Sequence, residues 1–171
     1  MKKVLIAVML VGVLMLLPAC DASVSSSGTS TEGEAAPAEA AKTEFQVGEA
    51  INVDDAVMTV VSGQQFPPPN EYMKPTDGKV YYIVNIKIEN GGTEPLDYNE
   101  YNYKIEDANG VQTNTAFVTD IPNQMNSGSL APGGKLDSNI VFEVPADMAG
   151  LKLIMEPNFF STQQVKIILT P

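Results

Sequence analysis

Residues 79–90 read Lys-Val-Tyr-Tyr-Ile-Val-Asn-Ile-Lys-Ile-Glu-Asn, and no other stretch limits the fold so tightly. Val80, Tyr82, Val84, Ile86 and Ile88 fall on one face of an extended chain; Tyr81, Ile83, Asn85, Lys87 and Glu89 fall on the other. A period of two marks a strand with one face in a core, whereas a helix would scatter these side chains around its circumference. Asn90-Gly91-Gly92 ends the run with turn chemistry. The period recurs at 136–144, where Leu136, Ser138, Ile140, Phe142 and Val144 share a face. Pro132-Gly133-Gly134 precedes that run as a turn, and Pro145 stops it because proline cannot donate to a ladder. Further strands are expected at 50–53, 56–62, 101–107, 111–115, 151–155 and 165–169, with Asp107-Ala108-Asn109-Gly110 as a hairpin turn. The pattern predicts an all-β domain over residues 44–171: an antiparallel β-sandwich of about seven or eight strands.

The first 43 residues are expected to lie outside that domain. Lys2 and Lys3 precede an apolar run over residues 4–17, interrupted only by Gly12. As a helix this run rises only about 21 Å, short of a hydrocarbon core of about 30 Å. It reads as the core of a signal peptide spanning residues 1–19. Leu17-Pro18-Ala19-Cys20 resembles the lipobox of bacterial lipoproteins, and Cys20 is the chain's only cysteine. The resemblance implies cleavage before Cys20 and a palmitate-type lipid anchor on its sulfur. Two acyl chains hold a protein stably on a membrane where one holds it marginally. Asp21 resembles an inner-membrane retention signal in envelopes with two membranes and carries no sorting meaning in those with one. Residues 20–43 are Ser, Thr, Gly, Ala, Glu and Pro with little that is apolar, so a disordered linker is expected, its ends roughly 25–30 Å apart. The predicted location is the extracytoplasmic face of the cell membrane.

Charge narrows the partners. Lysine is the only basic residue, and the net charge of −11 becomes two units more negative once Lys2 and Lys3 leave with the leader. Nucleic-acid binding is disfavoured, because it needs clustered cations to displace counterions. With one cysteine no intramolecular disulfide forms, so the domain must stand on its core alone; a monomer is expected.

Catalytic signatures are absent from the sequence. There is no histidine, the commonest general base and metal ligand, and the single thiol is assigned to lipid. No nucleophile elbow, phosphate loop or zinc motif occurs. No catalytic residue, cofactor or metal ligand is therefore assigned. The acidic residues Asp54, Asp55, Glu94, Asp97, Glu100, Glu106 and Asp107 leave one enzymatic rival, a cell-envelope hydrolase using paired carboxylates. Asp97-Tyr98-Asn99-Glu100 and Asp107-Ala108-Asn109-Gly110 are oxygen-rich enough for calcium, yet neither fits an EF-hand and Asx turns account for both.

The loops hold the better candidates. Residues 66–75, Phe-Pro-Pro-Pro-Asn-Glu-Tyr-Met-Lys-Pro, form a stiff apolar loop whose aromatics Phe66 and Tyr72 are expected to anchor a ligand. Residues 117–129 and Asn158-Phe159-Phe160 form two more loops, and the competing expectation is that Phe66, Phe117 and Phe159 fold back over the sandwich ends. Tyr101, Tyr103 and Ile105 alternate as core residues do.

Six blocks occur in a distinctive order: Phe45-Gln46-Val47-Gly48; Asp77-Gly78-Lys79 leading into the long strand; Gly92-Thr93-Glu94-Pro95-Leu96; Glu106-Asp107-Ala108-Asn109-Gly110; Leu130-Ala131-Pro132-Gly133-Gly134-Lys135; and Val141-Phe142-Glu143-Val144-Pro145. Together they resemble the immunoglobulin-like domain of unknown function common in Gram-positive surface lipoproteins, related in fold to a secreted mycobacterial antigen. The resemblance runs over residues 44–170 and implies an immunoglobulin-like sandwich without the Cys–Trp–Cys core of antibody domains. It implies no activity, since its blocks are turns and strand ends. A binding module for a protein, a peptide or a wall polymer is the expected function.

Overall fold

The computed structural model describes residues 42–156 and 164–170. Within them the chain forms β1 (Glu44–Gln46), β2 (Ala50–Val53), β3 (Ala56–Phe66), β4 (Lys79–Asn90), β5 (Leu96–Tyr98), β6 (Tyr103–Glu106), β7 (Gln112–Asn114), β8 (Gly128–Leu130), β9 (Lys135–Pro145), β10 (Lys152–Met155) and β11 (Val165–Ile168). A single 3-10 turn, Glu100–Asn102, precedes β6. The expected signal peptide, Cys20 and linker fall almost wholly outside the described residues, as does Asn158-Phe159-Phe160.

Two sheets make the sandwich. One runs β1-β11-β10-β6-β7, the other β2-β3-β4-β9, and β5-β8 forms a small ribbon. All eight expected strands are present. Beyond them the structure adds the short β1, β5 and β8, and β1 pairs with β11 in parallel, which departs from the wholly antiparallel sheets expected. The core lies between the sheets. Tyr82, Val84, Ile86 and Ile88 of β4, Ile140, Phe142 and Val144 of β9, and Met58 and Val60 of β3 meet Tyr103 and Ile105 of β6, Leu153 and Met155 of β10, and Val165 and Ile167 of β11. Each strand contributes alternate residues, so the period read from the sequence becomes the packing of the two inner faces.

A bulge in β3 changes that parity. Val60 pairs with Ile86 and Ser62 with Asn85, so Val61 is the extra residue. Beyond it, odd-numbered residues face inward. Gly63 lies under the Tyr82 ring, where an added Cβ would sit 2.8 Å from ring atoms. Phe66, paired with Tyr81, is thereby placed on the outer face.

That outer face is not polar throughout. Tyr81, Ile83 and Val141 are buried in a second cluster with Val118 and Ile121, against which Phe66, Met73 and Ala116 pack. The loops after β3 and β7 cross the sheet here and close a second, smaller core. Farther along, the same face turns polar, with Asn85 donating to Asp137 at 2.8 Å and to Asn139 at 3.0 Å.

One polar residue, Asn90, is fully buried at the end of β4. Its Nδ2 donates to the carbonyls of Glu94 at 2.8 Å and Leu130 at 2.9 Å, and its Oδ1 accepts from Gly92 N at 2.9 Å. Its own backbone exchanges hydrogen bonds with Gly133 and Gly134. Asn90 therefore joins β4, the turn at 91–95, the β5–β8 ribbon and the glycine turn before β9. It thereby brings the blocks around Gly92 and Leu130, far apart in sequence, together in space.

Candidate functional site

The two long loops form one surface. In the first, Asn70 Oδ1 accepts from the backbone nitrogens of Tyr72 and Met73, both at 3.0 Å, which fixes an Asx turn after the proline run. In the second, Ala116 N donates to Val141 O at 2.8 Å, Asn139 N donates to Asn123 O at 2.8 Å, and Met125 N donates to Asn139 O at 2.9 Å. The second loop is thus stitched along the outer edge of β9, which satisfies an edge that would otherwise pair with another chain. The loops also touch each other: Thr119 N lies 3.4 Å from Met73 Sδ, and Asn70 Nδ2 lies 3.5 Å from Asp120 Oδ2.

On this surface the two expected anchors part company. Phe66 is half-buried in the second cluster, whereas Tyr72 is 88 % exposed. Phe117, in the second loop, is 90 % exposed rather than folded back. Met125, scattered in the linear sequence, is buried in the main core.

Tyr101 departs from its expected core position, while Tyr103 and Ile105 keep theirs. Asn99 caps the 3-10 turn, its Oδ1 accepting from Tyr101 N at 2.9 Å, and the turn throws Tyr101 out to 69 % exposure. The tyrosine then lines a groove of about 170 Å³ together with Glu100, Phe117, Gln124, Asn126 and the β9 residue Asn139. Sequence reading missed this groove. Its available signal was Asn99, a strong capping residue directly before Glu100, which breaks the alternation that Tyr101, Tyr103 and Ile105 suggest.

A second concavity opens between the sheets at one end, lined by Val53, Met58, Leu96, Tyr98, Tyr103 and Met155. Burial pushes the Tyr103 phenol well above its ordinary range, and its hydroxyl points to Met58 Sδ at 3.7 Å. Asp54 and Asp97 both border this cleft, yet both are exposed. Asp107 is occupied as a turn residue, its Oδ1 accepting from Asn109 N at 2.8 Å and Val111 N at 3.0 Å. Glu106 accepts from Gln112 at 2.9 Å and pairs with Lys166 at 3.1 Å, and these contacts hold its carboxyl below the usual range. A general acid needs the opposite shift. Among the described residues no three His, Cys, Asp or Glu side chains converge as a metal site.

The architecture defines an immunoglobulin-like β-sandwich whose elaborated part is a pair of loops clasped over one sheet. By sequence the chain belongs to the family described as a domain of unknown function, DUF4352, which matches residues 45–167. No enzymatic family is indicated. Among solved structures, the secreted protein MPT63 of Mycobacterium tuberculosis superposes with a TM-score of 0.60 at 11% identity, over 78% of this chain and 100% of that one. The YjhA protein of Bacillus subtilis gives 0.58 at 18% identity, over 73% of this chain and 98% of that one. The candidate lipoprotein YcdA of Bacillus subtilis gives 0.57 at 16% identity, over 70% of this chain but only 38% of that one. At such identities these likenesses establish the fold. No curated protein matches the chain in sequence.

Proposed function

We propose that this chain is an exported lipoprotein, anchored through lipid on Cys20 at the outer face of the cell membrane, whose immunoglobulin-like domain binds a ligand through its clasped loops. The domains follow: leader 1–19, lipidated cysteine and linker 20–43, binding domain 44–171. The anchor rests on the lipobox Leu17-Pro18-Ala19-Cys20 and the apolar run before it.

One observation carries the binding reading. The three exposed aromatics among the described residues, Tyr72, Tyr101 and Phe117, all lie outside the strands, in the two loops and the 3-10 turn, while the strands bury theirs or keep them partly covered. Exposed rings on hydrogen-bonded loops lose little entropy on binding and supply much of the energy at interfaces. Phe66 serves from beneath, holding the first loop on Tyr81 and Ile83.

The test is capture from envelope extract by the full chain in detergent. Tyr72→Ala and Phe117→Ala should each weaken capture while leaving Tm within about 2 °C, since exposed substitutions stay near ±0.5 kcal/mol. Phe66→Ala should lower Tm by several degrees, as loss of a half-buried ring costs about 1–2 kcal/mol. Undiminished capture in both exposed variants would refute the loop surface as the site.

A further inference from the structure

We infer that the groove between the 3-10 turn and the second loop is a recognition site for a primary alkylammonium group, such as the end of a lysine side chain. The inference rests on the binding reading above and supplies the chemistry of its ligand.

The groove's polar groups point to a donor-rich cation. Glu100 lines it, and Glu100 Oε2 is shielded from solvent with no hydrogen-bond donor reaching it among the described residues. A buried carboxylate oxygen without a donor is costly, and rotation of the Glu100 carboxylate onto an incoming ammonium relieves that cost. The neighbouring amide nitrogens each donate to a backbone carbonyl. Gln124 Nε2 donates to Val118 O at 3.1 Å, Asn126 Nδ2 to Gln124 O at 3.3 Å, and Asn139 Nδ2 to Pro122 O at 2.7 Å. Each nitrogen thus spends one of its two donors on the backbone, and since Asn139 Oδ1 already accepts from Asn85 Nδ2 at 3.0 Å, the acceptors without a donor among the described residues are the side-chain carbonyls of Gln124 and Asn126. No lysine lines the groove, so nothing in it competes with a cation for Glu100.

The rim has the complementary apolar component. Tyr101 and Phe117 both border the groove and are both largely exposed. Their backbones are fixed, Tyr101 by the Asn99 cap and Phe117 by the Ala116–Val141 hydrogen bond beside it. Ring faces attract ammonium groups, and the methylenes of an alkyl stem pack on the same rings. A volume of about 170 Å³ accommodates such a head and the start of its stem, not a folded segment. The acidity of the whole chain favours arrival of a cation over an anion.

The experiment is a titration of the isotopically labelled full chain in detergent micelles with Nα-acetyl-lysine amide, followed by NMR. Signals of Glu100, Tyr101, Phe117 and Asn126 should shift together and saturate. Nε-acetylation of the probe, which removes the charge, should abolish the response. Glu100→Gln should weaken binding at least about tenfold, the equivalent of about 1.4 kcal/mol for a charge-assisted hydrogen bond. Phe117→Ala, at an exposed position, should weaken it several-fold with unchanged Tm. Equal binding of the acetylated probe, full retention of binding in Glu100→Gln, or response only to a chitin oligosaccharide would overturn the ammonium assignment. If envelope capture still depends on Tyr72 and Phe117 while the lysine probe gives no shift, the ligand chemistry fails and the broader binding reading stands.

Discussion

Replacing Asn90 tests the account of how the turns are held. Its side chain makes three hydrogen bonds, to Glu94 O, Leu130 O and Gly92 N, from a position only 1 % exposed. Asn90→Ala removes all three and strands two carbonyls and an amide. Each net hydrogen bond is worth about 1 kcal/mol, so the expected loss is about 3 kcal/mol. For a domain of this size that lowers Tm by about 10–15 °C, read by calorimetry or by β-type circular dichroism. Asn90→Asp sharpens the test because it keeps the shape and the acceptor for Gly92. It turns the donor of two hydrogen bonds into a negative acceptor facing two carbonyl oxygens. At neutral pH it should destabilise about as much as alanine, and its deficit relative to wild type should narrow in acid, where a protonated carboxyl can donate once. A Tm change under about 3 °C in both variants would refute Asn90 as the joint between the β4 end, the β5–β8 ribbon and the glycine turn.

Gly63→Ala should cost about 1–3 kcal/mol in chemical denaturation, because its Cβ would meet the Tyr82 ring at 2.8 Å in a packed core. Glu106 is held below its ordinary carboxyl value of 4.5 by Gln112 and Lys166, so its stabilisation is present above that value and lost as pH falls through the lowered one. Glu106→Gln should therefore lower stability at neutral pH and flatten the acid limb of a Tm-against-pH curve; an unchanged limb would contradict the assignment. Cys20→Ala should abolish incorporation of a labelled fatty acid and release the protein from membranes or leave it uncleaved, and labelling as strong as wild type would exclude the anchor.

The legible parts of this protein are those encoded locally. The inner face of β4 was readable because a pleated chain repeats every two residues, whatever lies opposite. The turn at 107–110 was readable because Asp107 and Gly110, at φ +78°, satisfy its demands from within. The family pattern was readable because its blocks are turns of this kind. What local pattern cannot carry is which partner covers a face. Tyr81 and Ile83 looked like the outward half of a strand, and they are buried because loops from elsewhere in the chain cross them. Phe66 looked like a loop anchor, yet the bulge at Val61 extends β3 to it and reverses the parity that decides its side. Tyr101 fits the same alternation as Tyr103, but a capped turn rotates it into solvent. The groove with Glu100 then follows from a strand edge, a turn and a loop far apart in sequence meeting in space. Periodicity is a property of neighbours along the chain and fixes the strands. A site assembled from long-range contacts exists only once the two sheets and their loops have packed.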